Sequence, residues 1–196
     1  MQHHGCPTRL LDFTTSPYVA LFFAQDGFDV LKDGDMCIWA INNTYLELES
    51  YEHLQQKARL KLDYQTYSLE KDKIFDENID SCGQQILISI EPKITNLRLE
   101  NQCGLFILSG AYDKKFNEYF EFQDAISNQA RKLIIKKSIL QDVLRLLMDT
   151  GVNNRKIYPG IDGVAKDIAV QLKMKLIDKI DKGLEGGVKE MEGELN

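Results

Sequence analysis

The chain has 196 residues, 24 of them Lys or Arg and 30 Asp or Glu, for a formal net charge of −6 and a pI near 5.2. This length suits one domain that buries roughly 70% of its unfolded surface. The acidic balance argues against a nucleic-acid partner, since phosphate neutralisation needs clustered Lys and Arg, and no run approaches the ~20 apolar residues of a membrane helix.

In chain order, the first helix starts at Pro17, a residue whose missing N–H costs nothing at the first helical position, with Ser16 as its N-cap. The run from Val19 to Ala24 is apolar on nearly every side, so this helix should be buried on more than one face, its positive end forming a ready anion site. A strand follows at about Met36 to Ile41 around Trp39, then a polar helical stretch from Tyr45 to Leu60 and a strand at Gln85 to Ile90 that Pro92 stops. Gly104 to Leu108 and Lys132 to Ile135 read as further strands, separated by the aromatic, acidic segment Phe116 to Phe122. The pairs Arg131-Lys132 and Lys136-Lys137 flank the latter strand as gatekeepers.

Ser138 is read as the cap of a helix on which Leu140, Val143, Leu144 and Leu147 repeat at helical spacing, with Gly151 as its stop. A last helix runs from about Asp162 to Ile180. Residues 181–196, rich in Gly, Glu and Lys, are expected to be a disordered tail, leaving one domain over residues 1–180. The alternation is not a regular βα succession. It predicts an α+β domain, with a single mixed, mainly antiparallel sheet and flanking helices.

Cys6, Cys37, Cys82 and Cys103 are widely spaced, with no C-x-x-C pair and no signal-peptide pattern, which predicts a reduced, cytoplasmic protein. No G-x-G-x-x-G or P-loop sequence occurs, so a bound nucleotide would be held by other means.

The densest chemistry lies in residues 1–24. His3 offers a base or donor, Arg9 a fixed cation, Asp12 a carboxylate, and Thr14, Thr15 and Ser16 three hydroxyls, an inventory that fits a site better than a linker. Arg9 and Asp12 form either a structural ion pair or a preorganised ligand contact, and the two readings are compatible. His3-His4-x-Cys6 has no established metal-ligand spacing and no matching downstream cluster, so no metal is assigned.

The segment Gln2-His3-His4-Gly5-Cys6-Pro7-Thr8-Arg9-Leu10-Leu11-Asp12-Phe13-Thr14, continuing through Pro17 and Val19 to Ala24, resembles the central signature of the FRG domain family, with Phe13 at a position usually Trp. Gln102-Cys103-Gly104-Leu105-Phe106 resembles the family's Q-x-G-x-F segment, and Tyr158 to Ala165 its closing F-P-D-L-D-G-L-A element. The family's Phe-Arg-Gly triplet lies upstream of the QHHG element, and this chain starts at Met1 directly before it. The resemblance therefore implies a domain without its N-terminal part, which a missing segment or a partner chain supplies. The chain by itself is expected to be inactive in transfer and to expose apolar surface.

Leu10 to Pro17, followed by Val19-Ala20 and Phe22-Phe23-Ala24, is also similar in pattern to the middle motif of ADP-ribosyltransferases, in which a strand precedes a short apolar helix. That likeness implies cleavage of the nicotinamide–ribose bond of NAD as substrate, through an oxocarbenium-like transition state. On it, Gln102, Glu100 and His3 are the catalytic candidates, while Arg9, Thr14, Ser16 and Asp12 contact the nucleotide. It also implies that the strand entered at Gly104 runs beside the strand carrying Leu10 and Leu11. Gln102 cannot carry a negative charge, so it would stabilise a developing cation less well than a carboxylate. Three functions stand open: an NAD-consuming transferase, such as a toxin or phage-defence effector; a non-catalytic ligand-binding module; and a scaffold domain.

Overall fold

The computed structural model describes residues 10–29, 34–57, 63–74, 86–92, 96–110 and 129–172. The expectations for His3, Arg9, the segment from Phe116 to Phe122, the end of the last helix and the tail fall outside these residues. Strand β1 (Leu10–Thr14) leads into helix α1 (Pro17–Gln25), followed by β2 (Met36–Ile41), α2 (Asn43–Lys57), α3 (Tyr64–Leu69), α4 (Lys71–Ile74) and β3 (Leu87–Ile90). After these come α5 (Leu97–Asn101), β4 (Gly104–Ser109), β5 (Ala130–Ile135), α6 (Leu140–Asp149) and α7 (Asn154–Ile157). Residues 161–172 form a last helix, α8. No described helix is long and apolar enough to cross a membrane.

The α+β class holds, but the described strands divide between two antiparallel sheets instead of sharing one. β1, β4 and β3 form a three-stranded sheet in the order β1-β4-β3, and among the described strands β2 pairs only with β5. Thr14 stands opposite Gly104 and Leu11 opposite Ile107, so β1 does run beside the strand entered at Gly104. The two sheets and α2 share a core of Leu46, Leu87, Leu105, Ile107 and Ala130, with Phe13, Trp39 and Ile41 packed against it. Ser50 of α2 donates to the Leu87 carbonyl and ties that helix to the three-stranded sheet.

Ser16 caps α1 as the sequence predicts, its side chain accepting from the Val19 N–H at 3.4 Å. The helix does not bury its whole circumference. Val19 and Phe22 are buried against Val143, Leu147, Val152 and Ile157, while Tyr18 and Phe23 are exposed. On α6 the residues Leu140, Val143, Leu144 and Leu147 are buried as their spacing requires, and Gly151 ends the helix region at φ +69°, a conformation glycine adopts without a Cβ penalty.

Ser138 is not the cap of α6. Lys137–Ile139 form a 3-10 turn, and α6 starts at Leu140 after Ile139, with no side-chain cap. Asp35 decides this: its carboxylate accepts from the Lys137 N–H at 3.1 Å and from Lys136 Nζ at 2.7 Å, pinning the chain one turn early. Arg131 and Lys132 lie within β5, and Lys136 is tied to Asp35.

Candidate functional site

A cleft of about 460 Å³ opens between β1, α1, β2 and α5. Asp12 and Thr14 reach it from β1, Phe23 from α1, Trp39 from β2, and Arg98 and Gln102 from α5 and its C-terminal turn. The apolar circumference of α1 is explained by this arrangement. Val19 and Phe22 serve the core, while Ala20, Phe23 and Ala24, at helical i, i+3, i+4 spacing, form one wall of the cleft.

The turn between α5 and β4 is pinned to β1. Thr14 Oγ1 donates to the Gln102 carbonyl at 2.7 Å and accepts from the Ser16 N–H at 3.1 Å, and the Thr15 N–H donates to the Cys103 carbonyl at 3.0 Å. Cys103 is held at φ +46°, a left-handed conformation unusual for a residue with a Cβ. Tied on both sides of this turn, Gln102 is held at the cleft, beside the signature strand.

The sequence-expected residues therefore separate. Asp12, Thr14 and Gln102 share the cleft. Thr14 has its single hydroxyl proton committed to the Gln102 carbonyl, so it cannot donate to a ligand. Ser16 caps α1 and lies outside the lining of this cleft. Gln102 Nε2 donates to the Ile157 carbonyl at 3.2 Å, leaving its second N–H and its Oε1 for other partners.

Glu100 is exposed and lines a separate groove with Thr15, Glu91 and Cys103. The reason is helical geometry. At about 100° per residue, positions 100 and 102 lie roughly 200° apart, whereas positions 98 and 102 lie nearly in line. His3 and Arg9 fall outside the described residues. Among the described residues, no group of three His, Cys, Asp or Glu side chains could hold a metal ion.

Sequence reasoning missed Arg98, the cation that lines this cleft among the described residues. Its Nε is buried with no hydrogen-bond partner among the described residues, and its guanidinium carbon lies 5.0 Å from the centroid of the Tyr158 ring. The i, i+4 relation to Gln102 would have revealed it had residues 97–101 been read as helix. Tyr158 donates its hydroxyl to Asp26 Oδ2 at 2.6 Å. Burial and that carboxylate together hold the phenol protonated, well above its ordinary range, with Arg98 opposing the shift.

No curated protein and no solved structure matches the chain. The family model of the FRG domain matches residues 1–29, the stretch that contributes β1 and α1 to the cleft.

Proposed function

We propose that the cleft binds an anionic ligand with a flat ring, of the nucleotide class to which NAD belongs, with phosphate at Arg98 and the ring against Trp39 and Phe23. The observation that carries this reading is Arg98: a cleft-lining residue whose guanidinium carbon lies 5.0 Å from an aromatic ring centroid and whose buried Nε has no acceptor among the described residues. A phosphate or pyrophosphate matches the planar fork of such a group. Asp12 and the second N–H and Oε1 of Gln102 would hydrogen-bond sugar or base on this reading.

Binding is favoured over NAD-consuming transfer. The Thr14 and Ser16 hydroxyls are engaged within the fold, and Glu100, the carboxylate of the transfer reading, opens into the other groove.

Trp39 is the one tryptophan of the chain and lies in the cleft wall, so its fluorescence reports on this site. Titration with NAD or ADP is expected to change Trp39 emission saturably. Arg98→Ala should weaken the ADP response by roughly 10- to 100-fold, the value of a hydrogen bond to a charged group, with the thermal melt of the variant checked alongside. No emission change and no thermal stabilisation at millimolar nucleotide would overturn the reading. Chromatographic detection of released nicotinamide would restore the transferase reading.

Cys37 supplies a second check. It is exposed and lines the cleft, whereas Cys103 is exposed in the separate groove. Saturating nucleotide is expected to slow alkylation of Cys37 by iodoacetamide several-fold and to leave Cys103 unchanged, as read by peptide mass spectrometry. Equal protection of both, or of neither, would place the ligand elsewhere.

A further inference from the structure

Arg98 is a long, half-buried side chain on a helix of five residues, and its own element cannot fix its direction. What holds it is a ring that is itself held from several sides. Tyr158 has its hydroxyl on Asp26, the C-cap residue of α1, at 2.6 Å, and its N–H on the Asn154 carbonyl at 2.9 Å. Its ring lies 6.0 Å from the Phe22 ring and 6.4 Å from the Phe23 ring, centroid to centroid. Lys166 of α8 places Nζ 4.0 Å from the same ring centroid and 3.6 Å from Asp26 Oδ2. The phenol thus joins α1, α7 and α8, and presents its ring to Arg98.

We propose that Tyr158 is a positioning residue that gives the cleft its selectivity for phosphorylated ligands, by holding the Arg98 guanidinium toward the cleft. The inference rests on the nucleotide reading of the cleft. A cation already stacked and oriented loses less side-chain freedom when a phosphate arrives than a mobile one does. Lys166 and Asp26 neutralise one another beside the ring, leaving Arg98 as the cation of this cluster without a carboxylate partner among the described residues. Tyr158 itself does not line the cleft, so it acts through Arg98 and not on the ligand.

The test uses the full chain, with Tyr158→Phe and Tyr158→Leu, and reads Trp39 fluorescence with ADP and with adenosine. Tyr158→Leu is expected to weaken ADP about three- to thirtyfold, the span of a cation–π contact, and to leave adenosine unchanged. Tyr158→Phe, which keeps the ring, should stay within about threefold of the parent for both. Equal weakening of ADP and adenosine in Tyr158→Leu would show a merely structural role and overturn the proposal, as would no change in either.

Reaction of Arg98 with phenylglyoxal, followed by peptide mass spectrometry without any ligand, separates this inference from the reading it rests on. Arg98 should become more reactive in Tyr158→Leu and not in Tyr158→Phe. If the parent binds neither ADP nor adenosine while that pattern holds, the nucleotide reading fails and the positioning of Arg98 by Tyr158 stands. Unchanged Arg98 reactivity in Tyr158→Leu would overturn the positioning itself.

Discussion

Phe22→Ala is expected to lower the unfolding free energy by about 3–5 kcal/mol, the usual cost of removing a buried phenyl ring. Phe22 is 2% exposed and joins α1 to the buried faces of α6 and α7 through Val143, Leu147 and Ile157. Its ring also meets Phe23 edge-on at 5.7 Å. Collapse around the vacated volume is hindered, because Val19, Leu147 and Ile157 belong to helices anchored elsewhere in the fold. Urea unfolding followed by far-ultraviolet circular dichroism measures the change. The neighbouring Phe23→Ala provides the contrast: Phe23 is 40% exposed and should cost roughly 1 kcal/mol, since less apolar area leaves water. A loss below about 1 kcal/mol for Phe22→Ala would mean that this cluster is not the core joining α1 to the C-terminal helices.

Gly163→Ala is expected to destabilise the protein although it adds a better helix former to α8. A Cβ at position 163 would stand 1.9 Å from the Tyr158 carbonyl oxygen and 2.6 Å from that of Asn154. Both are backbone atoms, so no rotamer change relieves the clash, and α8 must move away from α7. Overpacking of this kind costs about 3 kcal/mol at the upper end of its common range. The helix-propensity gain of alanine over glycine offsets about 1 kcal/mol of that. The net loss of about 2 kcal/mol should lower the melting temperature by roughly 4–8 °C for a chain of this size. Gly104→Ala is milder, because there the added Cβ meets the Cδ1 end of the Leu99 side chain, which can rotate. A raised melting temperature for Gly163→Ala would show that α8 does not pack against the Tyr158 turn as described.

Local signals in the sequence determined the elements that position the cleft. Ser16 and Pro17 specify the start of α1, because a cap and a fixed φ act within one turn. The apolar spacing of Leu140, Val143, Leu144 and Leu147 and the positive φ at Gly151 define α6 in the same way. The pattern from Leu10 to Ala24 lies in the stretch that the FRG family model matches, while the pairing of β1 with β4 is implied only by the likeness to the ADP-ribosyltransferase motif. Tertiary structure alone decided the rest. The division of strands between two sheets depends on which distant edges meet, and nothing within one strand encodes that. Ser138 failed as a cap because Asp35, distant in sequence, captures the Lys137 N–H first.

Within the cleft, Thr14 has a hydroxyl suited to a ligand, yet a carbonyl brought to it by strand pairing takes its proton. Glu100 and Gln102 look equivalent when read as a strand entrance, but a single helical turn sends them to opposite sides and puts Arg98 beside Gln102 instead. Tyr158 reaches Arg98 only through folding. Caps and periodicity are short-range properties that survive in the sequence. Which cation shares a cleft with which amide is fixed by packing between elements far apart in the chain.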